Sequence, residues 1–379
     1  MSGTVVVKVG TSLLRGAHGL STTAFIGCLA DTLSAERTRG SGVALVTSGA
    51  VGLGCSALDR SERPRLVQEL QAAAAIGQGR LMGLYDQAFR GHGITVAQVL
   101  LTRGDLASRR RFMNASRTLD QLLQWGVLPV INENDTLATE ELRFGDNDTL
   151  SALVAVALRA RCLVLLTDID RLYSGDPRHD EGAVPIPEVR SMEELDGLST
   201  AAGGGGRWGT GGMTTKLAAA RIATASGIEV RLADGRDPTV LRELLEGQPH
   251  GTRFLPSARP IPDRKRWLAH APVPEGTLTV DAGARGALLH QGASLLAVGI
   301  RAFEGCFGRH APVRIVDEQG QELARGLSAF SSDDLQQALG LSSAEIRTRL
   351  DPDLPEAVVH RDELVLTIPG MGRTIPASP

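Results

Sequence analysis

Short, wholly apolar segments alternate along the chain with longer segments in which apolar residues recur every three or four positions. The short segments predict strands, and they read TVVVKVG, GVALVTSG, ITVAQVLL, GVLPVIN, CLVLLTD and IEVRLA in chain order. The longer segments predict helices over residues 21–39, 65–90, 108–125, 149–159 and 213–226. Strands that are apolar throughout and alternate with helices are typical of a parallel sheet covered on both faces. We therefore predict an α/β fold with a doubly wound, mainly parallel sheet sandwiched by helices.

The hydropathy pattern changes in the last third of the chain. A segment rich in Pro and Arg predicts a linker over residues 256–273. Short alternating segments follow, among them TLTVD, SLLAVGI and PVRIVDEQG, and they predict a small, mainly β domain over residues 274–352. We expect residues 353–379 to form a loosely structured tail. The α/β domain then covers residues 1–255, and two domains suit a chain of 379 residues.

The composition narrows the function classes. With 42% hydrophobic residues, 22% charged residues and a net charge of −3, the chain resembles a soluble globular protein, and this charge argues against a dedicated polyanion binder. The start of the sequence lacks the basic and apolar segments of a secretion signal, and no apolar run approaches the ~20 residues that span a bilayer. We therefore predict a cytoplasmic protein without membrane attachment. Cys28, Cys55, Cys162 and Cys306 are far apart in apolar surroundings, which favours buried free thiols over disulfides or a zinc site.

A lysine interrupts the first predicted strand. Lys8 lies in VVVKVG, where a central parallel strand otherwise holds apolar side chains, and a buried ammonium is costly unless an anion compensates it. The residues after the strand, GTS, allow backbone amides to approach phosphate oxygens closely. The alternative is a lysine whose ammonium reaches solvent from the end of the strand.

A glycine-rich segment precedes the helix that holds Lys216. Glycines before a helix offer free amides and a favourable dipole to an anion, whereas the alternative is a flexible surface loop. The segment reads TGGMTTK from Thr210, so it is not a G-x-x-x-x-G-K-[ST] loop. A G-x-G-x-x-G motif does not follow the first strand, which argues against a dinucleotide-binding fold.

Other polar residues end the predicted strands. Ser48 ends the second strand before Gly49, and Asp168 ends CLVLLTD, although each is also a plausible cap or turn residue. Of two Asn-Asp pairs, the pair at 134–135 follows the strand GVLPVIN and the pair at 147–148 opens the next helix; an isolated pair of this kind most often marks a turn. Ligands of parallel sheets bind outside the carboxyl ends of the strands. Two lysines, amide-rich loops, a hydroxyl and carboxylates at one such edge favour phosphoryl transfer, which requires positioning and charge neutralisation.

Several motifs occur in an order that a known family shares. They are VKVGTSLL, VTSGAVGLG, AAIGQGRL, LLTRGDLASRRRFMNA, VLPVINENDTLATEELRFGDNDTLSALVA, LLTDIDRLYSGDPR and GTGGMTTK. In this order they resemble the glutamate 5-kinases of the amino acid kinase family, and the C-terminal segment is similar to a PUA domain. The resemblance implies the amino acid kinase fold and ATP- and magnesium-dependent phosphorylation of the γ-carboxylate of L-glutamate, the first step of proline biosynthesis. It also implies a homo-oligomer, either a dimer or a tetramer, feedback inhibition by proline and a downstream γ-glutamyl phosphate reductase as a partner.

The resemblance assigns roles to individual residues. It implies that Lys8 and Lys216 neutralise the transferring phosphoryl group and that Asp148 orients these lysines. The residues implied to bind glutamate are Ser48, Gly49, Asn134, Asp135 and Asn147. The residues implied to bind ATP are Lys8, Gly10, Thr167, Asp168, Thr210, Gly211, Gly212, Met213, Thr214, Thr215 and Lys216. Magnesium is expected to bind through the ATP phosphates, with no protein side chain assigned to it.

The chemistry of glutamate supports these roles. Free glutamate carries an ammonium group, which Asp135 and the neighbouring Asn134 can bind, whereas an N-acylated substrate would leave the carboxylate of Asp135 unpaired. N-acetylglutamate is therefore disfavoured, while aspartate, carbamate and nucleotides are the other acceptors known for such kinases. The γ-carboxylate is ionised at pH 7, so no general base is required. Two lysines and magnesium reduce the repulsion between the two anions.

Two positions depart from the family pattern. Arg171 replaces a glycine before Leu-Tyr, which puts the local turn in question, and His310 with Pro312 replaces a Gly-containing turn in the β domain. RNA binding is the competing function, because PUA domains elsewhere bind RNA. Acidic residues outnumber arginines in this domain and aromatic residues are few, so the sequence argues against nucleic acid as a partner.

Overall fold

The structure is a computed structural model that describes residues 3–15, 19–60, 62, 64–137, 147–195, 212–349 and 354–367. It divides into two compact units, Met1–Pro260 and Ile261–Pro379. Each unit has its own sheet and its own apolar core.

An eight-stranded sheet organises the first unit. The strands of this unit are β1 Val5–Val9, β2 Val43–Val46, β3 Val96–Leu101, β4 Leu128–Glu133, β5 Cys162–Thr167, β6 Leu172–Tyr173, β7 Pro185–Ile186, β8 Glu188–Val189, β9 Glu229–Asp234 and β10 Thr252–Phe254. The sheet order is β3-β4-β2-β1-β5-β9-β10-β8, and β6 and β7 form a separate ribbon. Along this order, the six neighbouring strands β3, β4, β2, β1, β5 and β9 pair in parallel, whereas β10 is antiparallel to β9. The predicted mainly parallel sheet is confirmed.

The helices of the first unit follow the predicted alternation. They are α1 Thr22–Thr38, α2 Ala50–Ala57, α3 Val67–Arg90, α4 Arg103–Ala107, α5 Arg109–Gln124, α6 Asn147–Ala157, α7 Gly212–Ala225 and α8 Pro238–Leu245. The start of α1 has a local cause, since the Ser21 side chain accepts a hydrogen bond from the Ala24 amide. Gly40 adopts a φ of +88° just beyond the helix, where a residue without Cβ is favoured.

Two glycines set the distance between α2 and α3. A Cβ on Gly54 would lie 1.8 Å from the Ala73 carbonyl oxygen, and a Cβ on Gly77 would lie 1.8 Å from the Ala50 carbonyl oxygen. Neither contact is possible for a real carbon atom, so only glycine allows the two backbones to approach this closely. The start of α2 and the middle of α3 are therefore fixed against each other.

The second unit is built on a five-stranded sheet. Its strands are β11 Gly276–Val280, β12 Ile300–Glu304, β13 Ala311–Val316, β14 Glu322–Ser328 and β15 Leu364–Leu366, and its helices are α9 Asp263–His270, α10 Ala282–Gly286, α11 Ser332–Ala338 and α12 Ser343–Arg349. The sheet order is β12-β11-β13-β14-β15. A mainly β C-terminal domain is thereby confirmed.

The ends of the second unit differ from the expectation. Residues 354–367, predicted to lie in a loose tail, instead add β15 to the sheet, and Val358 and Val359 are fully buried in the core. The segment predicted as a linker contains α9, whose Lys265 ammonium donates to the carbonyl oxygens of Arg361 and Leu364 at 2.7 and 2.6 Å. The apolar segments near residues 267 and 358 are short and lie near prolines, so the sequence pattern did not predict a helix or a strand there. Burial of their apolar side chains nevertheless orders them.

The cysteine prediction holds in part. All four cysteines are free thiols, and Cys55 and Cys162 are buried as expected. Cys28 is half-buried and Cys306 is exposed, so the expectation of burial was wrong for these two. Cys306 follows the glycine at the end of β12, where the chain leaves the sheet.

Candidate active site

The strand order brings distant polar residues to one edge of the first sheet. β1 lies between β2 and β5, and β4 and β9 flank this trio in parallel. The carboxyl ends of these strands hold Lys8, Thr47, Asn132 and Thr167 at or next to the last paired residues. This edge of the sheet is where a doubly wound fold binds its ligands.

Two buried lysines meet on one buried carboxylate. Asp148 lies in the first turn of α6 and has no exposed surface. Its Oδ1 lies 2.5 Å from the Lys8 ammonium, and its Oδ2 lies 3.0 Å from the Lys216 ammonium. Lys8 is 5% exposed and Lys216 9% exposed. One carboxylate between two ammonium groups leaves one net positive charge in a site of low dielectric, which favours an anionic ligand.

This geometry answers the question raised by Lys8 in an apolar strand. The Lys8 side chain does not reach solvent but points to a carboxylate supplied by a helix 140 residues later. Its neighbours Val46 and Leu165 on the adjacent strands are fully or almost fully buried. The ammonium is thus held inside the sheet edge by an ion pair.

The start of α7 supports the second lysine. The carbonyl oxygen of Gly212 accepts hydrogen bonds from the Lys216 ammonium at 3.1 Å and from the Thr215 hydroxyl at 3.0 Å. The same hydroxyl lies 3.2 Å from Asp148 Oδ2. Met213 is half-buried and Thr214 is exposed on this first turn. Thr210 and Gly211, which belong to the predicted ATP-binding segment, lie outside the described residues.

The side chain of Asn147 lies at the centre of a second polar cluster. Its Nδ2 group donates to the Thr47 carbonyl at 2.5 Å, to Ser48 Oγ at 2.9 Å and to Asn132 Oδ1 at 2.8 Å. Asn147 Oδ1 is buried and has no hydrogen-bond partner among the described residues. A buried carbonyl oxygen of this kind is an available acceptor for a ligand N–H group.

The start of α2 distinguishes the two interpretations of Ser48. The N-cap of α2 is Gly49, whose φ of +100° is a left-handed conformation, and Ser48 does not cap the helix with its side chain. A Cβ on Gly49 would lie 3.1 Å from Leu14 Cδ1, so close packing adds to the preference for glycine. The Ser48 hydroxyl instead faces Asn147, and the N-cap alternative is excluded.

The first Asn-Asp pair forms a turn after β4. The Asn134 amide N–H donates to the Leu101 carbonyl at 3.0 Å, and Asn134 Oδ1 accepts from the Thr136 hydroxyl at 2.6 Å. Asn134 and Asp135 are both half-buried. The turn is adjacent in sequence to Asn132, which bonds to Asn147. Residues 138–146, which connect the two Asn-Asp pairs, lie outside the described residues.

The carboxyl ends of β1, β5 and β9 form the other side of the edge. The Gly10 amide donates to the Leu166 carbonyl at 3.2 Å, and the Gly235 amide donates to the Thr167 carbonyl at 2.8 Å. The Thr167 hydroxyl donates to Asp168 Oδ1 at 3.1 Å, and Asp168 is exposed. A Cβ on Gly235 would lie 2.5 Å from Leu13 Cδ1. The ends of β1, β5 and β9 are thus held together by backbone hydrogen bonds and close packing.

Charged side chains surround the Thr167–Asp168 position. The Arg236 guanidinium makes a bidentate pair with Asp234, with Nη2 2.6 Å and Nε 2.8 Å from the carboxylate oxygens. The hydrogen bond to Asp234 raises the pKa of Arg236, and the charges of Asp168 and Asp170 act in the same direction. Arg236 therefore stays cationic next to a group of carboxylates.

The structure accommodates the unusual Arg171. Its Nε donates to Asp170 Oδ2 at 2.9 Å, and the Tyr173 hydroxyl donates to the same oxygen at 3.0 Å. Among the described residues other than glycine, only Asp59, Arg159 and His310 have a positive φ. The turn at Arg171 thus does not require glycine, whereas His310, with a φ of +64°, does occupy a conformation that favours glycine.

Sequence reasoning missed part of the site. Asn132 ends the apolar segment GVLPVIN, but we assigned it no role, and it is 2% exposed and central to the hydrogen bonds of Asn147. The Asn132 Nδ2 group donates to Gln78 Oε1 at 2.8 Å. Thr47 is fully buried, and its hydroxyl pairs with the hydroxyl of Tyr85 at 2.7 Å. A polar residue in an apolar strand was the available signal for Asn132, as it was for Lys8.

Metal binding by protein side chains is the remaining question. Among residues that the structure describes, no group of three or more His, Cys, Asp and Glu side chains is arranged to hold a metal ion. Within the described ranges, no helix is long and apolar enough to cross a membrane.

Comparisons with known proteins identify the family. The profile of the Amino acid kinase family matches residues 3–234, and that of the PUA domain matches residues 276–350. A protein of Synechococcus sp. (strain CC9605) named glutamate 5-kinase is 58% identical over 364 residues, which is 95% of this chain and 98% of that protein. One of Prochlorococcus marinus (strain MIT 9313) with the same name is 59% identical over 361 residues, with coverage of 95% and 98%. One of Synechococcus elongatus (strain ATCC 33912 / PCC 7942 / FACHB-805), also named glutamate 5-kinase, is 50% identical over 369 residues, with coverage of 97% and 100%.

Proposed function

The chain belongs to the glutamate 5-kinases of the amino acid kinase family, and from this premise we propose how its sheet edge phosphorylates the γ-carboxylate of L-glutamate with ATP. The observation that carries the proposal is the single carboxylate of Asp148 between the buried ammonium groups of Lys8 and Lys216. An ionised γ-carboxylate and the γ-phosphate of ATP are both anions. Their approach requires positive charge that is already in place and does not need to reorganise.

In the proposed reaction an oxygen of the γ-carboxylate attacks the γ-phosphorus of ATP. The new bond joins this oxygen to phosphorus, and the bond from phosphorus to the β,γ-bridging oxygen breaks, so ADP leaves with the electron pair. The products are γ-glutamyl phosphate and ADP. No proton has to be removed from the nucleophile, and therefore the site requires no general base.

Lys8 and Lys216 stabilise the charge on the transferring group in this proposal. Each ammonium has three N–H donors. Asp148 Oδ2 accepts a hydrogen bond from Lys216, and Asp148 Oδ1 forms an ion pair with Lys8. Asp148 thereby fixes the directions of the remaining donors and lowers the repulsion between the two cations. Without it, two buried like charges would lie close together at a cost of several kcal/mol.

Asn147 and Asp135 bind the ammonium group of glutamate in the proposal. Asn147 Oδ1 is a buried acceptor to which no described residue donates, so a substrate N–H group would satisfy it. Asp135 lies three residues after Asn132, whose Oδ1 accepts from Asn147, and it supplies negative charge to the same region. An acceptor that lacks the ammonium group, or carries it acylated, would not supply this donor to Asn147 Oδ1.

The strand ends of β1 and β5 fit a nucleotide. At Gly10 and at the turn after Thr167, backbone groups can come close to a bound nucleotide. The first turn of α7, residues 212–216, lies at the same edge. We assign ATP to this side of the edge, next to the two lysines. Magnesium bound to the ATP phosphates would neutralise further charge on the transferring group.

A hydroxamate assay tests the proposed function. Incubation with ATP, magnesium, glutamate and hydroxylamine should yield γ-glutamyl hydroxamate, and Lys216→Ala should abolish the product. A panel of aspartate, N-acetylglutamate, carbamate and nucleoside monophosphates, followed by ADP release, tests the acceptor. Absence of product above the Lys216→Ala background, or a preference for another acceptor, would contradict the proposal.

Assembly and regulation are further parts of the proposal. We expect a homo-oligomer, inhibition by proline and transfer of the labile product to a γ-glutamyl phosphate reductase, because the glutamate 5-kinase family implies each of them. A monomer mass in light scattering would contradict the first expectation. Full activity at millimolar proline would contradict the second. A cytoplasmic location remains a prediction from the sequence.

A further inference from the structure

Three amide side chains form a continuous chain of hydrogen bonds across the glutamate side of the site. Gln78 Oε1 accepts from Asn132 Nδ2 at 2.8 Å, and Asn132 Oδ1 accepts from Asn147 Nδ2 at 2.8 Å. Gln78 lies on α3, Asn132 on β4 and Asn147 at the start of α6. The three residues, which we term the amide relay, thus connect three separate elements.

The direction of the amide relay is fixed by groups that can only donate or only accept. The backbone amide of Glu133 donates to Asn132 at 2.9 Å, so the Asn132 atom that faces it must be the carbonyl oxygen. Asn132 Oδ1 and the Thr47 carbonyl can only accept, so the Asn147 atom that faces both must be Nδ2. Asn147 Oδ1 is consequently the atom left for a ligand, and it is buried without a partner in the part of the chain that the structure describes.

Gln78 controls the far end of this chain. With its oxygen on Asn132 Nδ2, its remaining amide atom is Nε2, which is buried and has no hydrogen-bond partner within the described ranges. Asn132 is 2% exposed, so its N–H group has no access to water as a substitute acceptor. Without Gln78 Oε1, the unpartnered Asn147 Oδ1 would be an acceptor within the same cluster for that N–H group.

We propose that Gln78 is a positioning and specificity-determining residue, which keeps the Asn132 amide away from Asn147 Oδ1 and so reserves this oxygen for the ammonium group of the amino acid substrate. The proposal rests on the proposed function, because it assumes that the ammonium group of glutamate binds at Asn147. Gln78 does not touch the reacting atoms. It acts through Asn132, and its effect is on the choice of acceptor rather than on the rate of phosphoryl transfer.

Glutarate is the acceptor that isolates this effect, since it has the same two carboxylates as glutamate but no ammonium group. In Gln78→Met the side chain keeps its length but loses the acceptor oxygen. We expect the KM for glutamate to rise roughly tenfold, which is the usual effect of leaving one buried hydrogen-bonding group unsatisfied. The kcat for glutamate and both constants for glutarate should stay within about threefold, so the preference for glutamate over glutarate falls roughly tenfold.

Two further variants separate positioning from a structural effect. Gln78→Glu keeps an acceptor towards Asn132 and replaces Nε2, which has no hydrogen-bond partner among the described residues, with a carboxylate oxygen, so it should restore most of the preference for glutamate. Gln87→Met makes the same chemical change at an exposed position of the same helix and should leave all constants unaltered. A merely structural role would lower the melting temperature and reduce turnover of both acceptors together.

The kinetics of the Gln78 variants either support or overturn the proposed role of this residue. An unchanged preference in Gln78→Met, an equal loss in Gln78→Glu, or a parallel loss for both acceptors would overturn it. If Gln78→Met fails to fold, Gln78→Ala, which suits a helix, gives the same test with the same thresholds. If the unsubstituted protein forms no γ-glutamyl hydroxamate, the proposed function fails, whereas an active protein with unaltered preference in the variants refutes the amide relay alone.

Discussion

Replacing Asp148 with asparagine tests the central charge arrangement of the site. The substitution keeps the size of the side chain but removes the negative charge that lies 2.5 Å from the Lys8 ammonium and 3.0 Å from that of Lys216. The asparagine amide would also direct an N–H group at one of the two lysine ammonium groups, which cannot accept a hydrogen bond. We expect slower turnover with little change in the affinity for glutamate, because the Asp148 carboxylate contacts both lysines.

The magnitude follows from the distances. Two unit charges roughly 3 Å apart attract by about 5 kcal/mol at an effective dielectric constant of about 20. Removal of one partner of a buried ion pair costs about 3–5 kcal/mol, because the remaining charge is left uncompensated. The lysines can relieve part of this cost by moving towards ATP or solvent, so we expect a loss of about 3 kcal/mol in transition-state stabilisation. This corresponds to a roughly 100-fold decrease in kcat.

The assay is γ-glutamyl hydroxamate formation over a range of glutamate concentrations, with thermal unfolding measured in parallel. Asp59→Asn provides a matched control, since Asp59 is exposed and has a positive φ that asparagine also tolerates. Asp148→Asn combined with Lys216→Ala should lose much less than the product of the two single losses, because both act on one charge cluster. A kcat for Asp148→Asn within threefold of the unsubstituted protein, with the fold intact, would refute the reasoning.

Further predictions concern substrate affinity and stability. Asp135→Ala should raise the KM for glutamate more than it lowers kcat, and steady-state kinetics that show the opposite pattern would mean that the two Asn-Asp pairs are wrongly assigned. Gly77→Ala should lower the unfolding free energy by several kcal/mol in urea titrations, because its Cβ would lie 1.8 Å from a carbonyl oxygen of α2. His310→Gly should stabilise the second unit by up to about 1 kcal/mol in the same titrations, because φ at this position is +64°. The hydrogen bond from Arg309 lowers the pKa of Asp334, so this carboxylate contributes stability above its unfolded pKa of about 3.9 and loses it as the pH falls further. Asp334→Asn should therefore reduce the loss of stability between pH 5 and pH 2, as measured by urea unfolding at several pH values.

The sequence predicted those features that depend on residues close together in the chain. Apolar strands alternating with helices predicted the parallel sheet, and a lysine inside an apolar strand pointed to a buried anion partner. The N-cap of α1 at Ser21 was also readable, since the hydrogen bond that it makes spans only three residues. Each of these signals lies within one element and needs no knowledge of the tertiary fold.

Features that depend on the order of the strands could not be predicted. Gln78 lies on the amphipathic helix α3, and nothing in its neighbourhood distinguishes it from the exposed Gln87. It joins the site because Gly54 and Gly77 bring α3 close to α2, and because β4 lies next to β2 in the sheet. The last strand, β15, was missed because three apolar residues are too short a pattern to identify a strand.

The ion pair between Lys8 and Asp148 also bears on how the first unit folds. Lys8 emerges early in the chain, but the carboxylate that compensates it lies 140 residues later, and Lys216 follows after a further 68 residues. Closing such long loops costs conformational entropy before any contact repays it, and chains dominated by long-range contacts fold slowly. Until α6 packs on the sheet, β1 can be buried only at the expense of an unpaired ammonium. Completion of the central sheet and assembly of the phosphoryl-transfer site are therefore one cooperative event, and a fragment that ends before residue 147 would lack the means to bury its own first strand.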